Sequence, residues 1–163
     1  PFRDITSTFV KIGNDSIRLI ACHMASNNFD AVKEVMPNDI EKKDKAKTIL
    51  KCLKAGRIER EVEVRNIMKD VVKQNAQEQK IIVLGDMNDV PGSSTLKALQ
   101  EDGILKNAWW EKGFGMGLTF HNHRVMYFRL DHILYNKYIK LKNIEVIPQN
   151  FSDHHALVAN FEL

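Results

Sequence analysis

Apolar and polar residues alternate in two neighbouring runs near the start of the chain, "DITSTFVKI" and "SIRLIACHM". Both runs are rich in β-branched residues and "GND" separates them, so the pattern predicts a β-hairpin. With a period of two, Ile17, Leu19 and His23 share one face of the second strand. His23 is therefore predicted at the end of that strand, on its apolar side.

The middle of the chain has the spacing of an amphipathic helix that runs into a buried strand. Residues from Arg57 to about Gln79 predict this helix, and the run "KIIVLGD" that follows predicts the strand against which it packs. A second, basic helix is predicted over 39–56, with Asp39 as N-cap and Gly56 as its C-terminal stop. In the helix predicted from Arg57 to about Gln79, the residues at three-to-four spacing are Ile58, Val62, Arg65, Met68 and Val72.

Short elements and a glycine-rich loop make up the rest of the chain. "STLKALQEDG" has the N-cap, length and closing glycine of a two-turn helix. Strands are predicted at "VMYFRLDHILYN", "KYIKLKNIEVIP" and "HALVANFEL", after the loop "GFGMGLTFHNHR". Because no repeat, low-complexity tract or linker interrupts the pattern, residues 1–163 are predicted to form a single α/β domain.

Composition changes this picture mainly by exclusion. The hydrophobic content of 44% and charged content of 28% are typical of a globular protein, and 163 residues suffice for one core. A formal charge of +3 is too small to indicate a nucleic-acid partner by itself. Cys22 and Cys52 have no CxxC spacing, so they predict core thiols rather than a zinc site or a disulfide framework. No apolar run is long enough to span a bilayer.

Candidate chemistry concentrates where the predicted strands begin and end. Asp86 and Asn88 follow the buried strand as i and i+2, and in extended geometry they project from the same side. A carboxylate can hold a metal or accept a proton from water, and a neutral amide can hydrogen-bond a phosphate oxygen. The alternative is an Asx turn that ends the strand, which needs only one of the two residues.

Two acid–histidine pairs each have a structural and a functional interpretation. Asp131, beside His132, lies inside an apolar strand, where a buried carboxylate needs a partner. That partner is either Arg129 or a histidine on a neighbouring strand that Asp131 orients. Asp153 and His154 precede the last strand, where the acid can hold a hard cation and the imidazole can address the reacting group, or the pair can serve as a cap.

Four short motifs together resemble those of the endonuclease/exonuclease/phosphatase family, which has the DNase I-like fold. They are "ACHM" (21–24), "GDMN" (85–88), "RLDH" (129–132) and "SDHHAL" (152–157). The resemblance implies a four-layer α/β/β/α sandwich with mainly antiparallel or mixed sheets, of which this chain supplies the C-terminal half. The N-terminal half, with a metal-binding glutamate, is then expected upstream of Pro1. The 163 residues alone are expected to leave the sheet's inner face uncovered and to be weakly active or inactive.

The resemblance also implies a role for each matching residue. Asp86 would position or deprotonate the attacking water, and Asn88 would bind the scissile phosphate. His23 would reach the phosphate or the leaving group. Asp131 would orient His154, which would contact the phosphate.

The activity implied by the resemblance is a divalent-metal-dependent phosphoesterase that hydrolyses a phosphodiester or phosphomonoester by attack of water. Asp153 would help to hold Mg²⁺, with Mn²⁺ or Ca²⁺ as alternatives. The implied substrates are nucleic acid, inositol phosphates or phospholipid headgroups. Trp109 or Trp110 would offer a ring to a base or a lipid, although burial is predicted for at least one of them. The alternative function is a non-catalytic member or half-domain that binds a phosphate ligand or a partner.

Three positions depart from the family's pattern. Met87 replaces an aromatic residue, His132 stands where tyrosine is common, and Ala21 stands where asparagine is frequent. The first change is expected to alter packing more than chemistry. Three histidines have no implied role and are interpreted as polar loop and strand-end residues: His121, His123 and His155.

Overall fold

The predicted opening hairpin is present in the computed structural model, which describes residues 4–26, 47, 57–122 and 126–163. Strands β1 (Asp4–Ile12) and β2 (Asp15–His23) pair antiparallel along their whole length. Gly13 takes the first turn position with a φ of 60°, the left-handed geometry that a two-residue hairpin turn needs. The predicted basic helix over 39–56 lies outside the described residues, apart from Lys47, which is helical.

A mixed sheet of five strands, in the order β1-β2-β3-β7-β4, forms the centre of the described structure. The pairing of β2 with β3 is parallel and the other pairings are antiparallel. Two smaller antiparallel pairs, β5–β6 and β8–β9, lie outside this sheet. The elements after β2 are α1 (Arg57–Asn75), β3 (Lys80–Asp86), α2 (Ser94–Ala98), β4 (Leu105–Asn107), α3 (Ala108–Lys112), β5 (Phe120–Asn122), β6 (Met126–Phe128), β7 (Asp131–Asn136), β8 (Lys140–Ile147) and β9 (Ala156–Glu162).

Helix α1 packs against the sheet with a different side from the predicted one. Ile58, Val62 and Val72 are exposed, whereas the buried positions are Arg60, Val64, Ile67, Val71 and Gln74. The helix carries two overlapping apolar stripes, and spacing alone does not tell which one meets the sheet. The stripe that faces the sheet includes Val64, Ile67 and Val71, and its one charged member, Arg60, is paired with Asp89 of the loop after β3. The helix also ends at Asn75, before the predicted Gln79.

The opposite face of the central sheet is covered in part by the β8–β9 pair. Ile17, Ile82 and Tyr135 of the central sheet are buried in one cluster with Leu141 and Ile144 of β8. The expectation of an uncovered inner face is therefore wrong for β2, β3 and β7. It holds better for β1, where Ile12, on the same face of the sheet as Ile17, is 51% exposed in the edge strand.

The predicted strand "VMYFRLDHILYN" is divided into β6 and β7 by a break at Arg129 and Leu130. The hydroxyl oxygen of Thr119 accepts hydrogen bonds from the backbone N–H groups of Leu130 and Asp131, both at 3.1 Å. These two donors are thus satisfied by a side chain instead of a neighbouring strand. Helix α2 is likewise shorter than predicted, since it ends at Ala98 and the chain turns before Gly103.

Two exclusions drawn from composition can be compared with the structure. Cys22 is a buried core residue, and burial raises the pKa of its thiol to about 12. The thiol therefore stays protonated at neutral pH, as expected for an inert core cysteine. Cys52 lies outside the described residues. In the described ranges, no helix combines the length and the apolar character that a membrane crossing requires.

The two stripes of α1 give a stability test with a matched control. Ile67→Ala is expected to lower the free energy of unfolding by about 2–5 kcal/mol, because Ile67 is 2% exposed and its loss leaves a cavity. Ile58→Ala in the same helix is expected to change it by less than about 0.5 kcal/mol, because Ile58 is 75% exposed. Urea unfolding followed by circular dichroism measures both. Equal losses would show that the predicted stripe also contributes to the core.

Candidate active site

The register of the central sheet brings three of the predicted site residues together at one end of its strands. His23 lies opposite Asp86 in the parallel pairing of β2 with β3. Asp86 lies opposite Asp131 in the antiparallel pairing of β3 with β7. Two strands therefore end, and a third begins, where these side chains meet. The parallel pairing continues one step further, because the Met24 N–H donates to the Asp86 carbonyl at 2.9 Å.

Gly85 allows the parallel strands β2 and β3 to lie close together at this end of the sheet. Its φ is 136°, and a Cβ atom at this position would lie 1.9 Å from the Cys22 carbonyl oxygen. No other residue fits this backbone without moving β2. The next buried residue, Met87, is 0% exposed and donates its N–H to the Leu130 carbonyl. The flexible thioether of Met87 thus packs in the hydrophobic core.

Asp86 uses its two oxygens differently. Oδ1 accepts the Asn88 backbone N–H at 2.8 Å, which is the Asx turn considered as the alternative interpretation. Oδ2 lies 3.8 Å from His23 Nε2 and 3.9 Å from His154 Nε2. A single carboxylate therefore ends the strand with one oxygen and faces two imidazoles with the other.

Asn88 does not have the predicted extended geometry. Its φ is 49°, a left-handed conformation that asparagine tolerates better than most residues. Its side chain is 5% exposed, and its amide Nδ2 donates to the Met24 carbonyl at 2.9 Å. Asn88 therefore links the loop after β3 to the segment after β2. Its predicted contact with phosphate stays a prediction.

Asp131 contacts His154 and not Arg129. The His154 Nδ1 and Asp131 Oδ2 atoms lie 2.7 Å apart. This hydrogen bond is the main cause that raises the pKa of His154, and the negative charges of Asp131 and Asp86 add to it, while burial opposes it. The ring also meets the edge of Phe120, with centroids 5.1 Å apart. Of the two sequence interpretations, the geometry matches the one in which Asp131 orients a histidine.

The surroundings of Asp86 disfavour the ionised form of its carboxyl group. Burial is the main cause that raises its pKa, and repulsion by the Asp131 carboxylate adds to it. The Asn88 N–H and the two imidazoles partly offset both effects. A carboxylate with a raised pKa, in reach of two histidines, suits proton transfer or the binding of a cation.

A buried ion pair that the sequence did not reveal holds the site's loops in place. Arg60 of α1 is 0% exposed, and its Nε lies 3.4 Å from Asp89 Oδ2. The Arg60 Nη1 donates to the Ala25 carbonyl at 2.9 Å, and the Thr95 hydroxyl donates to Asp89 at 2.6 Å. Arg60 thus connects the segment after β2 with the loop after β3. The only sequence signal is a charged residue within an apolar stripe.

His132, predicted as a departure from the family pattern, is a second support of the same loop. It is 1% exposed, and burial lowers the pKa of its ring to about 4. In its neutral form, Nε2–H donates to the Asp89 carbonyl at 3.1 Å and Nδ1 faces the Asn107 amide at 3.5 Å. His132 therefore positions the loop, and its ring has no contact with Asp86 or His154 in the described structure.

The predicted metal ligand Asp153 has an exposed side chain next to His154, and its backbone carbonyl accepts the His121 N–H at 2.8 Å. Carboxylate oxygens are suitable ligands for Mg²⁺, and a cation would relieve the repulsion between Asp86 and Asp131. However, among the described residues no group of three or more His, Cys, Asp or Glu side chains is arranged to hold a metal. The donors fit Mg²⁺ in kind, but the described residues do not supply a complete set.

Of the other histidines, His121 lies within β5 and His155 directly precedes β9. His121 and His155 pack their rings 4.4 Å apart. His155 Nδ1 accepts the Gln149 backbone N–H at 3.1 Å, and the backbone N–H of His155 donates to the Thr119 carbonyl. His123 lies outside the described residues.

Removing the Asp131 carboxylate is expected to lower the pKa of His154. The Nδ1 hydrogen bond favours the charged imidazolium, so Asp131→Asn makes the ring release its proton at lower pH. NMR titration of the His154 ring measures this change. Asp102→Asn, at an exposed position after α2, is the control. An unshifted His154 titration in Asp131→Asn would contradict the contact.

Burial of neutral His132 is expected to make the protein less stable in mild acid. The pKa of the ring is lowered from 6.5 to about 4, so the unfolded chain binds a proton in this interval and the folded chain does not. The contribution of the neutral ring to the free energy of unfolding is fully present above pH 6.5. It falls by about 3 kcal/mol as the pH decreases to 4. Urea unfolding between pH 7 and 4 measures the loss, and His132→Gln is expected to flatten the slope. Parallel slopes for the two proteins would refute the assignment.

The sequence profile of the Endonuclease/Exonuclease/phosphatase family matches residues 52–154. This interval contains "GDMN" and "RLDH" and ends at His154. Among curated protein sequences, none matches this chain.

Solved structures share the fold at low sequence identity. Mannosyl-6-phosphatase Bt3783 of Bacteroides thetaiotaomicron VPI-5482 has 17% identity and a TM-score of 0.60, with 93% of this chain covering 53% of that one. Beta toxin of Staphylococcus aureus has 15% identity and a TM-score of 0.64, with coverages of 97% and 57%. D. rerio TDP2 complexed with single strand DNA product has 15% identity and a TM-score of 0.63, with coverages of 99% and 62%.

The chain therefore spans less than two thirds of the length of these structures, and at such identities the likeness shows the fold. The predicted α/β class with mixed sheets is confirmed. With the profile covering most of the chain and the motifs at the edge of one sheet, this chain belongs to the Endonuclease/Exonuclease/phosphatase family and has its DNase I-like fold.

Proposed function

We propose that the protein containing this chain is a divalent-metal-dependent phosphoesterase, which hydrolyses a phosphodiester or phosphomonoester by attack of water. The observation that carries the proposal is the hydrogen bond between Asp131 and His154, with His154 Nε2 directed towards Asp86. A histidine oriented by a carboxylate beside a second carboxylate of raised pKa is an arrangement for moving protons at a reacting centre.

In the proposed reaction, the oxygen of a water molecule attacks phosphorus and the bond to the ester oxygen breaks. Asp86 accepts the water's proton, which its raised pKa favours. Asp131 holds the Nδ1 side of His154, so Nε2–H is available to a phosphoryl oxygen as negative charge develops there. The raised pKa of His154 favours the positively charged form of the ring, which suits this role.

Two further residues are proposed to contact the substrate. His23 is 58% exposed and stands beside Asp86, where it can donate a proton to the departing oxygen. Asn88 is proposed to contact the phosphate, and its hydrogen bond to the Met24 carbonyl would hold the amide in position. The ion pair of Arg60 and Asp89 holds the segment after β2 and the loop after β3 in place.

Mg²⁺, held in part by Asp153, is proposed as the cofactor, with Mn²⁺ or Ca²⁺ as alternatives, and would neutralise charge on the phosphate. The proposed substrates are phosphate esters of the classes found among nucleic acids, inositol phosphates and phospholipid headgroups. The similar structures named for a mannosyl-6-phosphatase and for TDP2 with a DNA product support this range. A non-catalytic phosphate-binding protein is the second candidate, which the incomplete donor set among the described residues favours.

The catalytic proposal is tested by hydrolysis of bis(p-nitrophenyl) phosphate and p-nitrophenyl phosphate by the full-length protein with Mg²⁺. His154→Ala is expected to lower kcat by about 10²–10⁴-fold, because an acid–base or charge-stabilising group is lost. His155→Ala, which alters the neighbouring ring, is expected to retain most of the activity. Unchanged turnover in His154→Ala would refute the mechanism.

The metal proposal is tested by removal with EDTA and restoration with Mg²⁺, Mn²⁺ or Ca²⁺. Activity is expected to disappear and return, and Mg²⁺ is expected to raise the Tm of the metal-free protein, because it binds the folded state only. Asp153→Asn is expected to weaken both effects. Full activity in EDTA would exclude a metal requirement. Phosphate binding without turnover at any metal concentration would favour the second candidate.

A further inference from the structure

An open apolar cavity of about 530 Å³ lies beside the candidate active site. Its size is within the range of small-molecule sites, roughly 300–1,000 Å³. Its walls are aromatic and aliphatic side chains with one charged group among them. The residues that matter for its chemistry are Val90, Trp110, Met116, Leu118, Tyr127 and Arg129.

The glycine-rich loop after α3 builds one side of this cavity by enclosing Trp109. A Cβ atom on Gly113 or Gly117 would lie 2.3 or 2.4 Å from the indole of Trp109, so only glycine lets the loop fold this closely. The Trp109 Nε1–H donates to the Gly115 carbonyl at 3.1 Å. Trp109 is thus 6% exposed, while its neighbour Trp110 remains 65% exposed at the cavity wall.

Arg129 gives the cavity a buried positive charge. It is 3% exposed, and its guanidinium lies 4.8 Å from the ring centre of Trp110 and 5.4 Å from that of Trp109. Its Nη1 donates to the Met116 carbonyl at 3.2 Å, and its Nε has no hydrogen-bond partner within the described ranges. Burial lowers its pKa to about 10, so it stays charged at neutral pH. No described carboxylate forms an ion pair with it, and the two indoles and the Met116 carbonyl stabilise the charge.

The chain segments that form the cavity also carry the candidate site. Val90 lies two residues after Asn88, and Arg129 lies two residues before Asp131. Tyr127 pairs with His121, whose N–H bonds to the Asp153 carbonyl. The cavity and the candidate site are therefore built on the same chain segments.

We propose that this cavity binds the aromatic ring of the phosphate ester that the site hydrolyses. The inference rests on the proposed function and names its substrate class. Trp110 and Tyr127, the latter 59% exposed, offer flat faces for stacking. The positive charge of Arg129 favours an anionic ester of either the aromatic or the aliphatic kind, so the ring faces distinguish the two. An aliphatic chain has no flat face to stack on Trp110 or Tyr127. The ring can belong to a nucleobase or to a simple aryl alcohol.

The proposal is tested with substrates that share the phosphate and differ in the organic part. kcat/KM of the full-length protein with Mg²⁺ is compared for phenyl phosphate, adenosine 5′-monophosphate and glycerol phosphate. Trp110→Ala is expected to raise KM about tenfold for the aromatic esters and to leave glycerol phosphate unchanged. Tyr127→Ala is expected to act in the same direction. Phe114→Ala is the matched control, because Phe114 is 97% exposed in the same loop and does not line the cavity.

A binding measurement separates this inference from the proposed function. Quenching of tryptophan fluorescence by phenyl phosphate and by adenosine 5′-monophosphate is expected in the wild type and weakened in Tyr127→Ala, which keeps both tryptophans as reporters. Inorganic phosphate and glycerol phosphate are the controls. Quenching by only one aromatic ligand identifies whether the ring is a simple aryl group or a nucleobase. Binding without hydrolysis would refute the esterase and keep the cavity assignment. Equal losses for aromatic and aliphatic esters, or quenching that Tyr127→Ala leaves unchanged, would overturn it.

Discussion

The close parallel pairing of β2 with β3 is the constraint on which the site depends. It sets His23 opposite Asp86, and it is possible because Gly85 has no side chain to strike the Cys22 carbonyl. The antiparallel pairing of β3 with β7 then adds Asp131 on the other side of Asp86. A shift of one residue in either pairing would turn these side chains to opposite faces. The geometry of the site is therefore a property of sheet register.

Buried charges fix the loops that extend from these strands. The pair of Arg60 and Asp89 is almost fully hidden from water, and each partner has a further hydrogen bond: Arg60 donates to the Ala25 carbonyl and Asp89 accepts from the Thr95 hydroxyl. Breaking such a pair costs more than its net contribution, because one charge is left buried alone. The arrangement therefore contributes more to fixing the position of the loops than to the stability of the fold. Neutral His132 adds a further hydrogen bond to Asp89.

Burial has opposite consequences for the charged groups around the site. It raises the pKa of Asp86, lowers that of His132, and leaves Arg129 charged between two indoles. His154 differs because a carboxylate at hydrogen-bond distance outweighs its burial. The site thus places a carboxylate with a raised pKa next to an imidazole with a raised pKa. The neighbouring cavity adds a positive charge that the described residues do not neutralise.

Much of this protein was determined by its sequence alone. The hairpin signal around Gly13, the buried strand before Asp86 and the motifs at strand ends predicted the α/β class and the group of residues at the site, because turn chemistry and alternation are local properties. The sequence did not show which stripe of α1 faces the sheet, since two stripes have equivalent spacing. It also missed Arg60 with Asp89, and the left-handed Asn88. The partner of Asp131 was left open between Arg129 and a histidine. These features depend on segments far apart in the chain, and only tertiary contacts between them select one arrangement.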